Sequence, residues 1–360
     1  MDAARFVGTE PLPPGSAIEP ARLKRYLAKR LPDCEGELTI ERFRGGQSNP
    51  TLLLSFDGVR RLVLRKKPDG KLLPSAHAVD REYRVISALR ESGIPVADAR
   101  LFCDDDTVVG AMFYIMDYVE GRSFWEPWLP DLGNRERSDI YAELGRVIAA
   151  LHGVDHAAAG LEDFGRPNDY VARQTARWSK QYRASETETI EAMDRLIEWL
   201  PLNLPPQRRT SLIHGDYRLD NVIFHPGEAR ILAVVDWELS TIGDPMADFA
   251  YHMLTWHFPT NPYRGLADSD LVSLGIPGER AYRDAYLAAT GQNDASERDW
   301  HAYLAFCLFR VAAIRQGIMR RVVDGTASNQ HAREAGALAR PVSELGWRYA
   351  ERAMEEGRQS

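Results

Sequence analysis

The chain has 360 residues, 44% hydrophobic and 27% charged, with a net charge of −7. That composition suits a soluble globular protein with room for two lobes and substantial cores. It argues against a general nucleic-acid binder, which would be basic, and no run approaches the apolar length of a membrane span.

Met1 to Glu10 lacks an apolar stretch, so no secretory signal is expected. The three cysteines (Cys34, Cys103, Cys307) are far apart and show no metal spacing. They read as reduced thiols of a cytoplasmic protein. Pro11 to Gly15 reads as a flexible arm, and Pro20 to Leu31 as a helix with Leu23, Leu27 and Leu31 at helical spacing. Phe43-Arg44-Gly45-Gly46-Gln47-Ser48-Asn49-Pro50 then precedes a strand from Thr51 to Phe56, an Asp57-Gly58 turn and a strand from Arg61 to Arg65. A Gly-Gly turn between strands can turn its backbone N–H groups toward phosphate.

Arg65 ends that strand as a cation that can bind phosphate bidentately. Lys66 lies on the opposite face of a regular strand and stays open as an alternative, although Lys66 and Lys67 also fit a solvated charge run. Asp80 to Glu91 reads as a helix with Glu82, Ile86 and Leu89 on one face. A carboxylate beside an apolar stripe needs a partner, and Arg65 is the natural one. Phe113 to Met116 is a buried-type strand, and Asp117 to Gly121 turns.

From about residue 136 the chain reads as mostly helical. Ile140 to Leu151 has helical periodicity and ends at His152-Gly153, with His152 a helix C-terminal residue. Tyr170 to Tyr182 carries Arg173 and Arg177. Three short apolar runs follow: Ser211-Leu212-Ile213, Val222-Ile223-Phe224 and Ile231 to Val235. Between and after them stand His214-Gly215-Asp216, Asn221 and Asp236. Both ends of such a hairpin return to one place, so the three polar side chains can converge. Asp216 can orient a substrate hydroxyl and accept its proton. Asn221 and Asp236 can hold magnesium against nucleotide phosphates. His214 reads as a structural donor. The helix from Ala302 to Arg321 carries Arg310, Arg315, Arg320 and Arg321, a set that could bind phosphate or carboxylate or simply pair with acidic residues. Trp125, Trp128, Trp256 and His257 are candidates for a substrate wall.

The run His214-Gly215-Asp216 to Asn221, with Asp236 in the place of the Asp of the protein kinases' Asp-Phe-Gly, resembles the aminoglycoside phosphotransferase and choline kinase superfamily. Gly243 to Ala250 resembles that family's segment after the metal Asp. Val63 to Tyr83 is very similar to the kinase-like N-terminal domain of acyl-CoA dehydrogenase family members 10 and 11. The resemblance implies an α+β, protein-kinase-like fold. Its expected parts are a small N-lobe with an antiparallel sheet (residues 1–116), a hinge (117–121) and a mostly helical C-lobe (122–360).

It also implies ATP and magnesium as cofactors, with Gly45, Gly46, Gln47, Ser48 and Asn49 as the loop over the phosphates. Arg65 stands in the place of the kinase Lys, Glu82 is its helix partner, and Met116, Asp117 and Val119 form the adenine-facing hinge. The implied activity is phosphoryl transfer from ATP to a small molecule's hydroxyl, with a hydroxyacyl-CoA as the suggested acceptor. An aminoglycoside phosphotransferase and a nucleotide-binding pseudokinase acting as a regulatory module remain as alternatives. The related domains are joined to a dehydrogenase. This chain ends at residue 360, so a dehydrogenase is expected as a separate partner rather than within it.

Overall fold

The computed structural model describes residues 8–13, 16, 18–44, 49–68, 78–292, 296–327 and 331–359. Its first part is an antiparallel sheet of six strands in the order β1-β2-β3-β4-β6-β5. The strands are β1 (Thr9–Pro11), β2 (Leu38–Phe43), β3 (Thr51–Phe56), β4 (Arg60–Lys66), β5 (Ala99–Cys103) and β6 (Phe113–Asp117). Alternation along β3 sends Leu52, Leu54 and Phe56 to one face. α1 (Pro20–Ala28) opens on a proline, which suits a first helical position, and lays Leu23 and Leu27 on that face beside Leu62, Leu64 and Ile115.

The central strand β4 is covered on both sides, and Leu62 to Lys66 are all buried. Even-numbered residues face the small core under α1. Val63 and Arg65 face the other way, toward α2 (Val79–Leu89). α2 buries Val85, Ile86 and Leu89 against Tyr114, within the larger core of the molecule.

The second part is mainly helical: α3 (Asn134–His152), α4 (Tyr170–Ser185), α5 (Glu191–Asn203), α6 (Pro245–His257), α7 (Thr260–Tyr263), α8 (Leu271–Leu274), α9 (Glu279–Thr290), α10 (Glu297–Val323), α11 (Ala332–Ala337) and α12 (Ala339–Gln359). Two small antiparallel pairs sit among them: β7 (Ser211–Ile213) with β10 (Thr241–Gly243), and β8 (Val222–Phe224) with β9 (Ile231–Val234). The α+β architecture is the one expected.

α10 packs against α4, α5, α6 and α12. It starts five residues earlier than its periodicity indicates, because Ser296 caps it: Oγ accepts the Asp299 N–H at 3.1 Å. One expectation needs correcting here. α10 is long and apolar enough to cross a membrane by length and composition, but most of that stretch is buried inside the protein. It is a core helix, apolar nearly all round because other helices surround it.

Candidate active site

β7 delivers His214, and Gly215 turns the chain with φ +85°. A Cβ there would come within 2.7 Å of the Leu239 carbonyl oxygen and 2.9 Å of its Cβ, so only glycine fits both the dihedral and the space. Asp216 follows, half-buried. β8 pairs with β9 in the register Val222 to Val234, which places Asn221 and Asp236 at the same end of one hairpin. The Val235 N–H closes that end on the Asn221 carbonyl at 2.9 Å. Asn221 then donates Nδ2 to the Asp216 carbonyl at 2.9 Å and to Asp216 Oδ2 at 3.1 Å. Its Oδ1 is thereby turned away from Asp216.

His214 is buried. Its Nδ1 accepts the Asp216 N–H at 3.2 Å, which fixes the proton on Nε2, and Nε2 donates to the Val235 carbonyl at 3.0 Å. The ring thus ties the loop to the strand that delivers Asp236. Asp236 itself is left-handed, with φ +68°. Asp tolerates that region better than most residues, and such strain persists where the surroundings fix it, commonly at functional sites.

The loop is braced from below. Asp248, fully buried on α6, accepts the N–H groups of His214 and Gly215, each at 2.8 Å. His152 Nε2 lies 3.2 Å from Asp248 Oδ2, and its Nδ1 lies 2.7 Å from the Tyr286 hydroxyl. Burial pushes the Asp248 carboxyl up, but His152 and the donated N–H groups outweigh it and hold it below the ordinary range. Arg310 Nη2 donates to the Gly215 carbonyl at 2.8 Å. Neither Asp248 nor His152 was singled out for the site from the sequence. The available signal was a carboxylate on an otherwise apolar helix, which must have partners.

Above the loop, Arg65 gathers three carboxylates. Nε is 2.6 Å from Glu82 Oε2, and Nη2 is 2.6 Å from Asp236 Oδ1 and 3.7 Å from Glu238 Oε2. Burial works against the guanidinium charge, but Glu82 and Asp236 outweigh it and hold its pKa above the ordinary value. Glu82 also accepts Asn49 Nδ2 at 2.6 Å and the Tyr114 hydroxyl at 3.1 Å. The pair of β4 with α2 and the hairpin end therefore meet at one cation.

Other expected site residues fall elsewhere. Gly45, Gly46, Gln47 and Ser48 lie outside the described residues. Asn49, expected in the loop over the phosphates, is fully buried and gives Nδ2 to Glu82 at 2.6 Å. Lys66 corrects the solvated-run reading. It is 3% exposed, with Nζ on the Val109 carbonyl at 3.1 Å on the face away from Arg65, because residues two apart in a strand share a face. The Asp117 side chain is held by Arg60 and Arg100, and its N–H goes to the Asp98 carbonyl. Met116 pairs with Val63 in the sheet. Val119, expected in the hinge, has no hydrogen-bond partner among the described residues.

The arginine set on α10 does not act as one surface. Arg310 is buried under the loop, Arg320 pairs with Asp324 on the surface at 3.1 Å, and Arg321 is exposed. Of the aromatic candidates, Trp256 and His257 are buried in the core and bonded to Pro277 and Tyr349. Trp128 packs against the same core. Only Trp125 borders the loop region, beneath Arg264 at 3.7 Å.

The sequence model of the phosphotransferase enzyme family matches residues 39–306. Acyl-CoA dehydrogenase family member 10 of Mus musculus is 45% identical over 345 residues, covering 95% of this chain and 32% of that protein. The chain thus spans about a third of the length of that relative. A crystal structure from Ralstonia eutropha, provisionally named an aminoglycoside phosphotransferase, is 48% identical with a TM-score of 0.85, covering 93% of this chain and 98% of that one. A more distant structure is aminoglycoside phosphotransferase APH(4)-Ia with ADP and hygromycin B. It shares the fold at 16% identity and a TM-score of 0.59, covering 91% and 97%.

Proposed function

Since the chain belongs to the phosphotransferase enzyme family, we propose that it moves the γ-phosphoryl group of ATP to a hydroxyl of a small molecule, with a hydroxyacyl-CoA as the acceptor. One observation carries the reading most of the way. Asp216 Oδ1 is buried with no hydrogen bond of ordinary geometry among the described residues, although the Tyr251 hydroxyl approaches the Asp216 carboxylate. Arg218 Nε stands 3.7 Å off, beyond bonding range. An idle carboxylate oxygen is the acceptor that a substrate hydroxyl would satisfy. Asp216 Oδ2 is meanwhile fixed by Asn221, so the free oxygen has a set direction.

Among the described residues no three His, Cys, Asp or Glu side chains form a metal site by themselves. Asp236 and Asn221 Oδ1 supply two hard oxygens. That suits magnesium, which takes few protein ligands and completes its shell with phosphate and water. The ion would neutralise charge developing on the transferred group. Arg65 would meet the nucleotide phosphates, with Glu82 holding it when Asp236 turns to the metal. Asp216 accepts the hydroxyl proton as the oxygen attacks phosphorus and the bond to the ADP oxygen breaks. The solved relative with ADP supports a nucleotide in this cleft. The dehydrogenase-linked relative supports an acyl acceptor and an acyl-CoA dehydrogenase as partner.

A nucleotide-consumption assay with hydroxyacyl-CoAs and with aminoglycosides tests the reading. Turnover of a hydroxyacyl-CoA is expected, falling by roughly 10²–10⁴ in Asp216→Asn while nucleotide binding persists. Turnover of kanamycin-type compounds alone would move the acceptor to that class. Nucleotide binding without any turnover would favour a regulatory pseudokinase.

A further inference from the structure

Arg218 stands beside Asp216, Arg264 meets Arg218 at the Asp220 carboxylate, and Arg315 of α10 feels the charge of both, so that positive charge here is only partly balanced. Arg218, two residues after Asp216, pairs with Asp220 and approaches Asp216 Oδ1 at 3.7 Å. Arg264 follows α7 in left-handed backbone, φ +58°, an unfavourable conformation for a long side chain. Its guanidinium lies 3.7 Å above the Trp125 ring, gives Nη1 to the Trp125 carbonyl at 2.9 Å and gives Nη2 to the Asp220 carboxylate at 3.2 Å. Arg315 comes from α10. It is half-buried and has no hydrogen bond or ion pair to any described residue. Burial, together with repulsion from Arg218 and Arg264, pulls its pKa down, with Tyr251 opposing.

Arg310 adds a fourth positive charge nearby, its Nη2 given only to the Gly215 carbonyl. Against these charges stand the carboxylates of Asp220 and Asp216, with Glu126 acting on Arg264, and Asp216 is the one reserved for the acceptor hydroxyl. A half-buried guanidinium among like charges, with no carboxylate of its own, is unfavourable in the empty protein. The missing anion is what a ligand can bring, and the guanidinium fork fits phosphate and carboxylate alike.

We propose that Arg315, with Arg218 and Arg264, forms the subsite that takes an anionic group of the acceptor, a phosphate or a carboxylate, beside Asp216. The inference rests on the phosphotransferase reading and adds the charge class of the acceptor to it. Neutral sugars gain nothing there, and polyamines are repelled. The anion could come from the phosphates of coenzyme A or from the carboxylate of a free hydroxy acid.

The test measures binding, so it needs no turnover. Parent protein and Arg315→Gln are saturated with magnesium and AMP-PNP, which fills the nucleotide phosphate positions. Inorganic phosphate, coenzyme A and 4-hydroxybutyrate are then titrated by calorimetry. At least one probe is expected to bind the parent and to weaken about tenfold or more in Arg315→Gln, with partial recovery in Arg315→Lys and unchanged AMP-PNP affinity. Coenzyme A binding without 4-hydroxybutyrate binding assigns the phosphates as the source, and the reverse assigns the carboxylate. Without added anion, Arg315→Gln should melt at a higher temperature than the parent, as relief of repulsion at a functional site predicts.

Equal binding by parent and variant overturns the proposal, as does binding of no probe by the parent. A lower melting temperature in Arg315→Gln also overturns it, because Arg315 would then be a structural partner. Loss of all hydroxyacyl turnover with anion binding still dependent on Arg315 defeats the acceptor reading alone. Turnover with an unchanged acceptor KM in Arg315→Gln defeats this inference alone.

Discussion

A single buried carboxylate, Asp244, shows how residue chemistry and fold stability are linked next to the site. It caps α6 by accepting the Met246 N–H at 2.9 Å, and it takes the Tyr303 hydroxyl on its other oxygen at 2.7 Å. Burial pushes its carboxyl up to about 6, and the two hydrogen bonds only partly offset that. The native protein therefore holds this proton more tightly than the unfolded chain, where Asp titrates near about 3.9. The sign follows: the cost of the charged form is absent below the unfolded value, grows as pH rises through the window from about 4 to about 6, and is complete above it. Asp244→Asn keeps a capping side chain and removes the titration. In urea unfolding across this window the parent is expected to lose stability relative to Asp244→Asn, by about 1.4 kcal/mol per pH unit. A difference that stays flat with pH would show that Asp244 does not titrate there.

At the scale of elements, the site depends on β4 being held against α2. Arg65 and Glu82 make that contact, and Asn49 and Tyr114 occupy the remaining lone pairs of Glu82. The pair is desolvated, so removing one partner leaves a buried charge unmatched. The single variants Arg65→Ala and Glu82→Ala should each destabilise, and the double variant should cost less than their sum. Chemical unfolding of the three variants should give a coupling energy of about 0.5–3 kcal/mol. Strict additivity would mean that the two side chains act independently. The same argument separates Arg65 from Lys66. One residue along the strand is enough to send Lys66 to the Val109 carbonyl under α1.

For the molecule as a whole, the sheet is tied to the helical part where Arg65 of the sheet bonds Asp236 of the hairpin. A magnesium nucleotide placed there should stabilise the entire fold. At a ligand concentration one hundred times its Kd the gain is about 2.7 kcal/mol, readable as a rise in melting temperature with AMP-PNP and magnesium. Asp236→Ala should lose the part of that rise that depends on magnesium. If the magnesium dependence of the shift is the same in the variant, the metal is held elsewhere.

Much of the local structure could be read from the residues. Alternation placed β3 at Thr51–Phe56. The spacing of the three short apolar runs put Asn221 and Asp236 at one hairpin end, because antiparallel pairing must bring those ends together. Asp216 and its Asn221 partner were legible for the same reason, being five residues apart on one turn. What depended on tertiary structure was everything contributed by distant elements. Asp248 and His152 brace the loop from α6 and α3, and no local period marks a carboxylate for backbone N–H groups that arrive from another strand. The arginines of α10 read as one candidate set in the sequence, yet their helical positions and the packing send Arg310 beneath the loop and Arg320 to the surface. Arg218 is brought beside Asp216 by a turn, and Arg264 joins it at Asp220 from the end of α7. Sequence order holds no trace of that gathering, because burial of apolar faces, which is non-directional, decides which helices meet and so which charges end up side by side.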